Sequence, residues 1–303
     1  VRRLAAGDFS GRVTMITGPG RASGKTSLLN AALALLRGAG ESPAFLGIGF
    51  DGERKDLEGG RSQPSAGRGS PRIAVAAGEL FVSAEGLIGP SATLPEILAL
   101  LPGRSALGRL ALVRARRPGE VVLVGPDSNE VAALAVRLAR EEGGASTVLV
   151  DGAFNRLTQV ASLEGAGFLS SLRIDAAGLE RALEHLRLLG RLSSLPVHEE
   201  REGEALVHAV QGPLTAGVLE TVPESARILV AEDLTKVFLG EAELGVLARR
   251  RELRVRRAMR FGGFVLVLHG VTAERVMEGL EGRVPEELLI ENPYEVGRAE
   301  DAA

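Results

Sequence analysis

The sequence predicts an α/β fold, a mostly parallel sheet flanked by helices. Three observations carry this. Short apolar runs alternate with stretches of helical periodicity along most of the chain, the pattern of successive βαβ units. Several of those runs end on an acid, as parallel strands often do where they reach a ligand crevice. The 303 residues are 45% apolar and 25% charged, enough for a sizeable core and incompatible with a disordered chain.

The elements follow in order. Arg12 to Thr17 (RVTMIT) reads as a strand. A glycine-rich turn, Gly18 to Gly24, separates it from a helix whose Leu28, Ala32, Leu35 and Leu36 share one face. Pro43 to Phe50 is a second strand, ending at Asp51. The Gly, Ser, Arg and Pro of residues 58–71 read as a long loop. Two short strands are expected around Gly78, then a short helix over Leu94 to Leu101, then strands at Leu110 to Arg116 and Val121 to Val124. Asp127-Ser-Asn-Glu130 has the form of a capping box with Asp127 as the cap. The helix it opens ends at Gly143-Gly144, and Thr147 to Val150 is a buried strand ending at Asp151.

The second half repeats the alternation. An amphipathic helix spans Asp175 to Leu189, with Leu179, Leu183 and Leu186 on its stripe. Ala205 to Val210, Ile228 to Ala231 and Phe264 to Leu268 are strands, and a helix covers Thr272 to Leu280. The polar segment Ser193 to Glu204 contains Pro196 and is the expected boundary. It divides the chain into residues 1–192 and a second, smaller α/β region, 193–303.

Composition excludes several functions. There is no cysteine, hence no disulfide, thiolate metal site or cysteine nucleophile. A net charge of −3 and ten aromatic residues argue against a nucleic-acid surface. No apolar run approaches the roughly 20 residues of a spanning helix, and no leader opens the chain, so a cytoplasmic protein without a membrane partner is expected. Of 36 basic residues only Lys25, Lys55 and Lys236 are lysine. Each lysine in so arginine-rich a background is a candidate for a place where a compact ammonium is wanted, with Lys55 also readable as an ordinary surface charge.

Lys25 lies in the most informative segment, Gly18-Pro-Gly20-Arg-Ala-Ser23-Gly24-Lys25-Thr26-Ser27. Between a strand and a helix, it reads as a phosphate-binding loop and makes the fold of the P-loop NTPase type. Gly18, Gly20, Ser23 and Gly24 would wrap backbone N–H groups around phosphates, with the following helix N-terminus behind them. Lys25 would reach the terminal phosphates, and Thr26, next to Ser27, would hold Mg²⁺. The spacing departs from G-x-x-x-x-G-K-[ST]: Pro19 stands where the first glycine belongs, so the loop is one residue longer or is re-phased by Gly20. The strand-end acids Asp51 and Asp151 are the candidates for the metal side, and Lys25 and Asp151 for the catalytic pair. Asp151-Gly152 also reads as a simple turn. Guanine recognition is unsupported, since Thr235-Lys236-Val237 is followed by Phe238 where an aspartate would stand; ATP is the expected nucleotide.

Four segments carry a family resemblance. Val148-Leu-Val-Asp151-Gly-Ala-Phe-Asn-Arg156 resembles the P-loop proteins associated with adenosylcobalamin-dependent lysine 5,6-aminomutase and ornithine aminomutase, known as reactivating factors. Gly212-Pro-Leu-Thr215, Val230 to Phe238 and Glu291-Asn292-Pro293 are similar to later segments of that family. The resemblance implies ATP-driven release of damaged cobalamin from a partner aminomutase, with the cofactor held by the partner. It leaves Arg156 as a phosphate or partner contact or a solvated charge, and Lys236 as a contact to phosphate or to Asp233. His185 is expected to be solvated, and His269 to line the crevice or stay on the surface. Two other readings remain open: a P-loop small-molecule kinase or ligase, and a non-catalytic nucleotide-binding module. Oligomer formation is compatible with all three.

Overall fold

The structure is a computed structural model that describes residues 1–20, 23–48, 73–88, 91–105, 107–152, 163, 165–199 and 206–292. The expected Asp51, Lys55 and Arg156 lie outside the described residues. The chain divides into two compact units, Arg3–Ser171 with Asn292–Ala303, and Val1–Arg2 with Leu172–Glu291.

A two-residue strand, β1 (Arg2–Arg3), opens the chain. The larger unit then contains β2 (Val13–Thr17), α1 (Lys25–Gly38), β3 (Ala44–Gly47), β4 (Ile73–Val75), β5 (Leu80–Ala84) and the single turn α2 (Glu85–Ile88). After these come β6 (Glu96–Ser105), β7 (Gly108–Arg114), β8 (Gly119–Val121), α3 (Asn129–Glu141) and β9 (Val148–Asp151). The first residues of β10 (Gly167–Asp175) complete its sheet, whose order is β10-β2-β9-β3-β5-β7-β6. The pairs from β10 to β5 are parallel, and β7 adds to β5 and β6 to β7 in antiparallel fashion. β4 and β8 form a separate antiparallel pair.

The fold class expected from the sequence is therefore the observed one. β2 is buried on both faces, as a central parallel strand must be, which is why it reads as an unbroken apolar run rather than an alternation. α1 packs on β2 and β9, and α3 on β6, β7 and β9. α1 buries Leu28, Leu29, Ala32, Leu33 and Leu36 along one stripe. At its last turn Arg37 grips Glu79, which is only 1% exposed, through two 2.7 Å contacts, while the Ala76 N–H donates to the same carboxylate at 2.7 Å.

The smaller unit is built around β11 (Val207–Ala209), β12 (Ile228–Ala231) and β13 (Glu252–Val255), a wholly parallel sheet in that order. Its crossovers are α5 (Ala216–Thr221) and α6 (Glu241–Leu247). A second parallel pair joins β14 (Arg260–His269) to β15 (Leu289–Glu291), linked through α7 (Ala273–Leu280). α4 (Leu179–Ser193) packs against α6, α7 and β14. The α4–α7 contact is close because α7 uses glycine there: a Cβ on Gly279 would meet Leu183 of α4 at 2.4 Å. Gly190 of α4 likewise admits Val284, which follows α7, where a Cβ would stand 3.2 Å from it.

Two local expectations are corrected. Leu94 to Leu101 is not a helix but the start of β6, paired with β7; its Leu, Ile and Ala suit either structure, and strand pairing decides. α3 is capped by Ser128, which accepts from Val131 N, and Asp127 lies outside the helix. β10 was not expected at all. Residues 172–192 group with the C-terminal part in the smaller compact unit, where α4 packs against α6, α7 and β14. Among the described residues no helix is long and apolar enough to cross a membrane.

Candidate nucleotide site

The carboxyl ends of β2, β9 and β3 lie side by side, and the segment Gly18 to Ser27 leaves from β2 at that edge. Two glycines there are required by geometry. Gly24, immediately before α1, has φ +88°, a left-handed conformation that a side chain would strain. Gly18 is hemmed in: a Cβ would lie 2.3 Å from Ser23 Oγ and 2.6 Å from the Ser171 carbonyl oxygen. Gly20, by contrast, faces open space.

Lys25 bends back over the segment it follows. Its Nζ donates to the Gly20 carbonyl at 2.9 Å and to Ser23 Oγ at 3.3 Å. Ser23 Oγ donates to the same Gly20 carbonyl at 3.1 Å. One carbonyl thus collects an ammonium and a hydroxyl, so Gly20, which has no steric duty, acts through its backbone oxygen. Gly18, one residue earlier than the first glycine of the common spacing, is the glycine that packing requires. Thr26 and Ser27 occupy the first turn of α1, half-buried.

β10 braces this loop. Ser170 is in register with Thr17, Thr17 Oγ1 donates to the Leu169 carbonyl at 3.0 Å, and buried Ser171 donates to the Ser23 carbonyl at 2.6 Å. Sequence reasoning missed Thr17 and Ser171. The signal was present in GFLSSLRID, where Phe168, Leu169, Leu172 and Ile174 are apolar, but the serine pair interrupts the run.

Asp151 closes β9 in register with Ile16 of β2 and with Gly47 of β3. The Gly152 N–H donates to the Ile16 carbonyl at 3.0 Å, and the Ile48 N–H donates to the Asp151 carbonyl at 2.9 Å. Both strand neighbours therefore fix the backbone that carries this carboxylate, two residues below Gly18 in register. The edge is narrowed further by Gly125: a Cβ there would meet the Gly47 carbonyl oxygen at 1.7 Å. That close approach brings the chain leading to α3 across the end of β3. Among the described residues no three His, Asp or Glu gather as a metal cage. The two candidates expected from the sequence, the Asp151 carboxylate and the Thr26 hydroxyl, are hard oxygen donors, the type Mg²⁺ prefers alongside water and phosphate.

In the smaller unit, two of the family-like segments meet. Leu214 and Val237 form a parallel bridge, with Leu214 N donating to the Lys236 carbonyl at 2.7 Å and Phe238 N to the Leu214 carbonyl at 2.8 Å. Asp233, 1% exposed, accepts from Thr235 N at 2.9 Å and Thr235 Oγ1 at 2.5 Å, and lies 3.6 Å from Arg257 Nη2. Arg257, not Lys236, supplies its cation. His269 is exposed at the end of β14. His185 is not solvated: it is half-buried on α4, and desolvation holds its imidazole below the usual histidine range.

No protein-family model matches this chain, and no curated protein matches it. A solved structure of the MinC:MinD cell division protein complex from Aquifex aeolicus is similar at 12% identity, over 89% of this chain and 86% of that chain, with a TM-score of 0.31. Likeness at that level carries no argument about fold or function.

Proposed function

We propose that this chain is a P-loop nucleoside triphosphatase that binds Mg-ATP and uses its hydrolysis to remodel or reactivate a partner enzyme. The observation that carries the nucleotide reading is the Lys25 ammonium folded onto the Gly20 carbonyl, behind a left-handed Gly24, at the start of α1. An ammonium parked on a neutral carbonyl is available to an incoming phosphate, which offers it a charged acceptor. The backbone N–H groups at the start of α1 point the same way, with the helix dipole behind them.

Lys25 would engage the terminal phosphates, while Thr26 and Asp151 would hold Mg²⁺, the latter through water. The ion would supply charge neutralisation on the phosphate oxygens. Gly18, Ser23 and Ser171 position the loop. The partner reading rests on the segments around Asp151, Gly212, Asp233 and Asn292 and their similarity to aminomutase reactivating factors. A cobalamin-dependent aminomutase is accordingly the partner we propose.

The test is ATP hydrolysis by the purified chain with Mg²⁺, alone and with a candidate aminomutase inactivated by turnover. Stimulation by the mutase, with recovery of its activity, is expected. Lys25→Ala should remove the ATP site at the loop in calorimetry and leave the melting temperature within a few degrees. Unchanged affinity in that variant would overturn the loop assignment.

A further inference from the structure

A second feature stands apart from the loop. At the amino edge of the three-stranded sheet lies a cavity of about 480 Å³. Buried Leu244, Leu247 and Leu253 contribute apolar wall. Its volume falls within the span of about 300–1,000 Å³ usual for small-ligand sites.

The rest of the lining is mostly guanidinium. Two of its arginines already have structural duties: Arg191 donates to the Leu244 carbonyl at 3.0 Å, and Arg251 to the Pro223 carbonyl at 3.1 Å. Arg227, Arg249 and Arg250 do not. Among the described residues their side chains have no hydrogen bond or ion pair, although their backbones are fixed. Arg227 N donates to the Leu206 carbonyl at 2.9 Å, and Arg250 N to the Leu247 carbonyl at 3.0 Å. The one carboxylate in the lining, Glu252, is turned to Arg254, which grips both its oxygens at 2.9 Å. Among the described residues the cavity therefore has a surplus of positive charge with no counter-charge in place.

Arginines after a helix C-terminus commonly complement its dipole, and that accounts for Arg249 and Arg250 following α6. It does not account for Arg227, which comes from the start of β12, a different segment aimed at the same cavity. Three convergent forks above an apolar wall match a ligand with about three negative charges and a less polar body. We propose that this cavity binds a small organic diphosphate, independently of the Gly18–Ser27 loop.

The test uses the full chain carrying Lys25→Ala, so that the loop does not compete, titrated by calorimetry with ADP and with inorganic pyrophosphate. One site for each is expected, with ADP at least as tight because of the apolar wall. Affinity should fall steeply as NaCl is raised. Adding Arg227→Gln, Arg249→Gln and Arg250→Gln together should weaken both probes at least tenfold while leaving the thermal melt unchanged. In the loop-intact chain the same triple substitution should leave one ATP site. Absence of binding by either probe, or a triple variant within twofold of its parent, would overturn the proposal. Preference for a Glu-rich peptide over both probes would overturn it in favour of protein docking. Full two-site ATP binding by Lys25→Ala alone would count against the loop reading, and the triple variant would still decide the cavity.

Discussion

At the residue scale, the loop separates glycines by what each one does. Gly18 is held by packing, Gly24 by its backbone angle, and Gly20 by the use made of its carbonyl. Gly18→Ala would drive a methyl into Ser23 and the Ser171 carbonyl, and the latter is backbone that cannot swing away. The expected outcome is a loss of at least tenfold in ATP affinity, with destabilisation on the order of 1–3 kcal/mol, as overpacking usually costs. Gly20→Ala should leave both nearly unchanged. Calorimetry and urea unfolding on the two variants check this. The sequence pointed to all three glycines. It did not say which glycine was which, because the glycine–glycine spacing is ambiguous and only the position of β10 decides it.

At the element scale, one buried ion pair ties the last turn of α1 to the sheet. Arg37 ends α1 and reaches both Glu79, just before β5, and the Ala74 carbonyl of β4 at 2.8 Å. Glu79 is fully buried, so removing its cation leaves a carboxylate that water cannot reach. Arg37→Ala should cost about 3 kcal/mol by chemical denaturation. Replacing both partners, Arg37→Leu with Glu79→Gln, should cost less than the single change. Elements were legible where burial is one-sided or complete and uninterrupted. α3, α4 and α7 show their stripes, and β12 reads directly as ILVA. β6 was not legible, because Ile97 and Leu100 are about half exposed on the strand, and a helical stripe places the same residues inward.

At the scale of the whole molecule, stability should respond to pH through His185. Burial disfavours its charged form, so its folded pKa lies below the unfolded one. Its contribution is fully present above the unfolded value, about 6.5, and is lost as pH falls from there through the folded value. Urea unfolding between pH 7.5 and 5 should show stability declining, with a shallower slope in His185→Gln. Slopes rather than absolute stabilities are the comparison, since the substitution also changes packing. The α/β class was readable because it follows from local alternation.

The contact between Gly125 and the Gly47 carbonyl bears on how this protein can change over time. At 1.7 Å from a main-chain oxygen, even the smallest side chain is excluded, and no neighbouring rotamer can yield to admit it. Point mutation at position 125 is therefore closed unless the strand end itself shifts, and that strand end adjoins Asp151. The drift of this lineage is thus constrained at a glycine that touches no phosphate, while Gly20, inside the loop, is sterically free to vary.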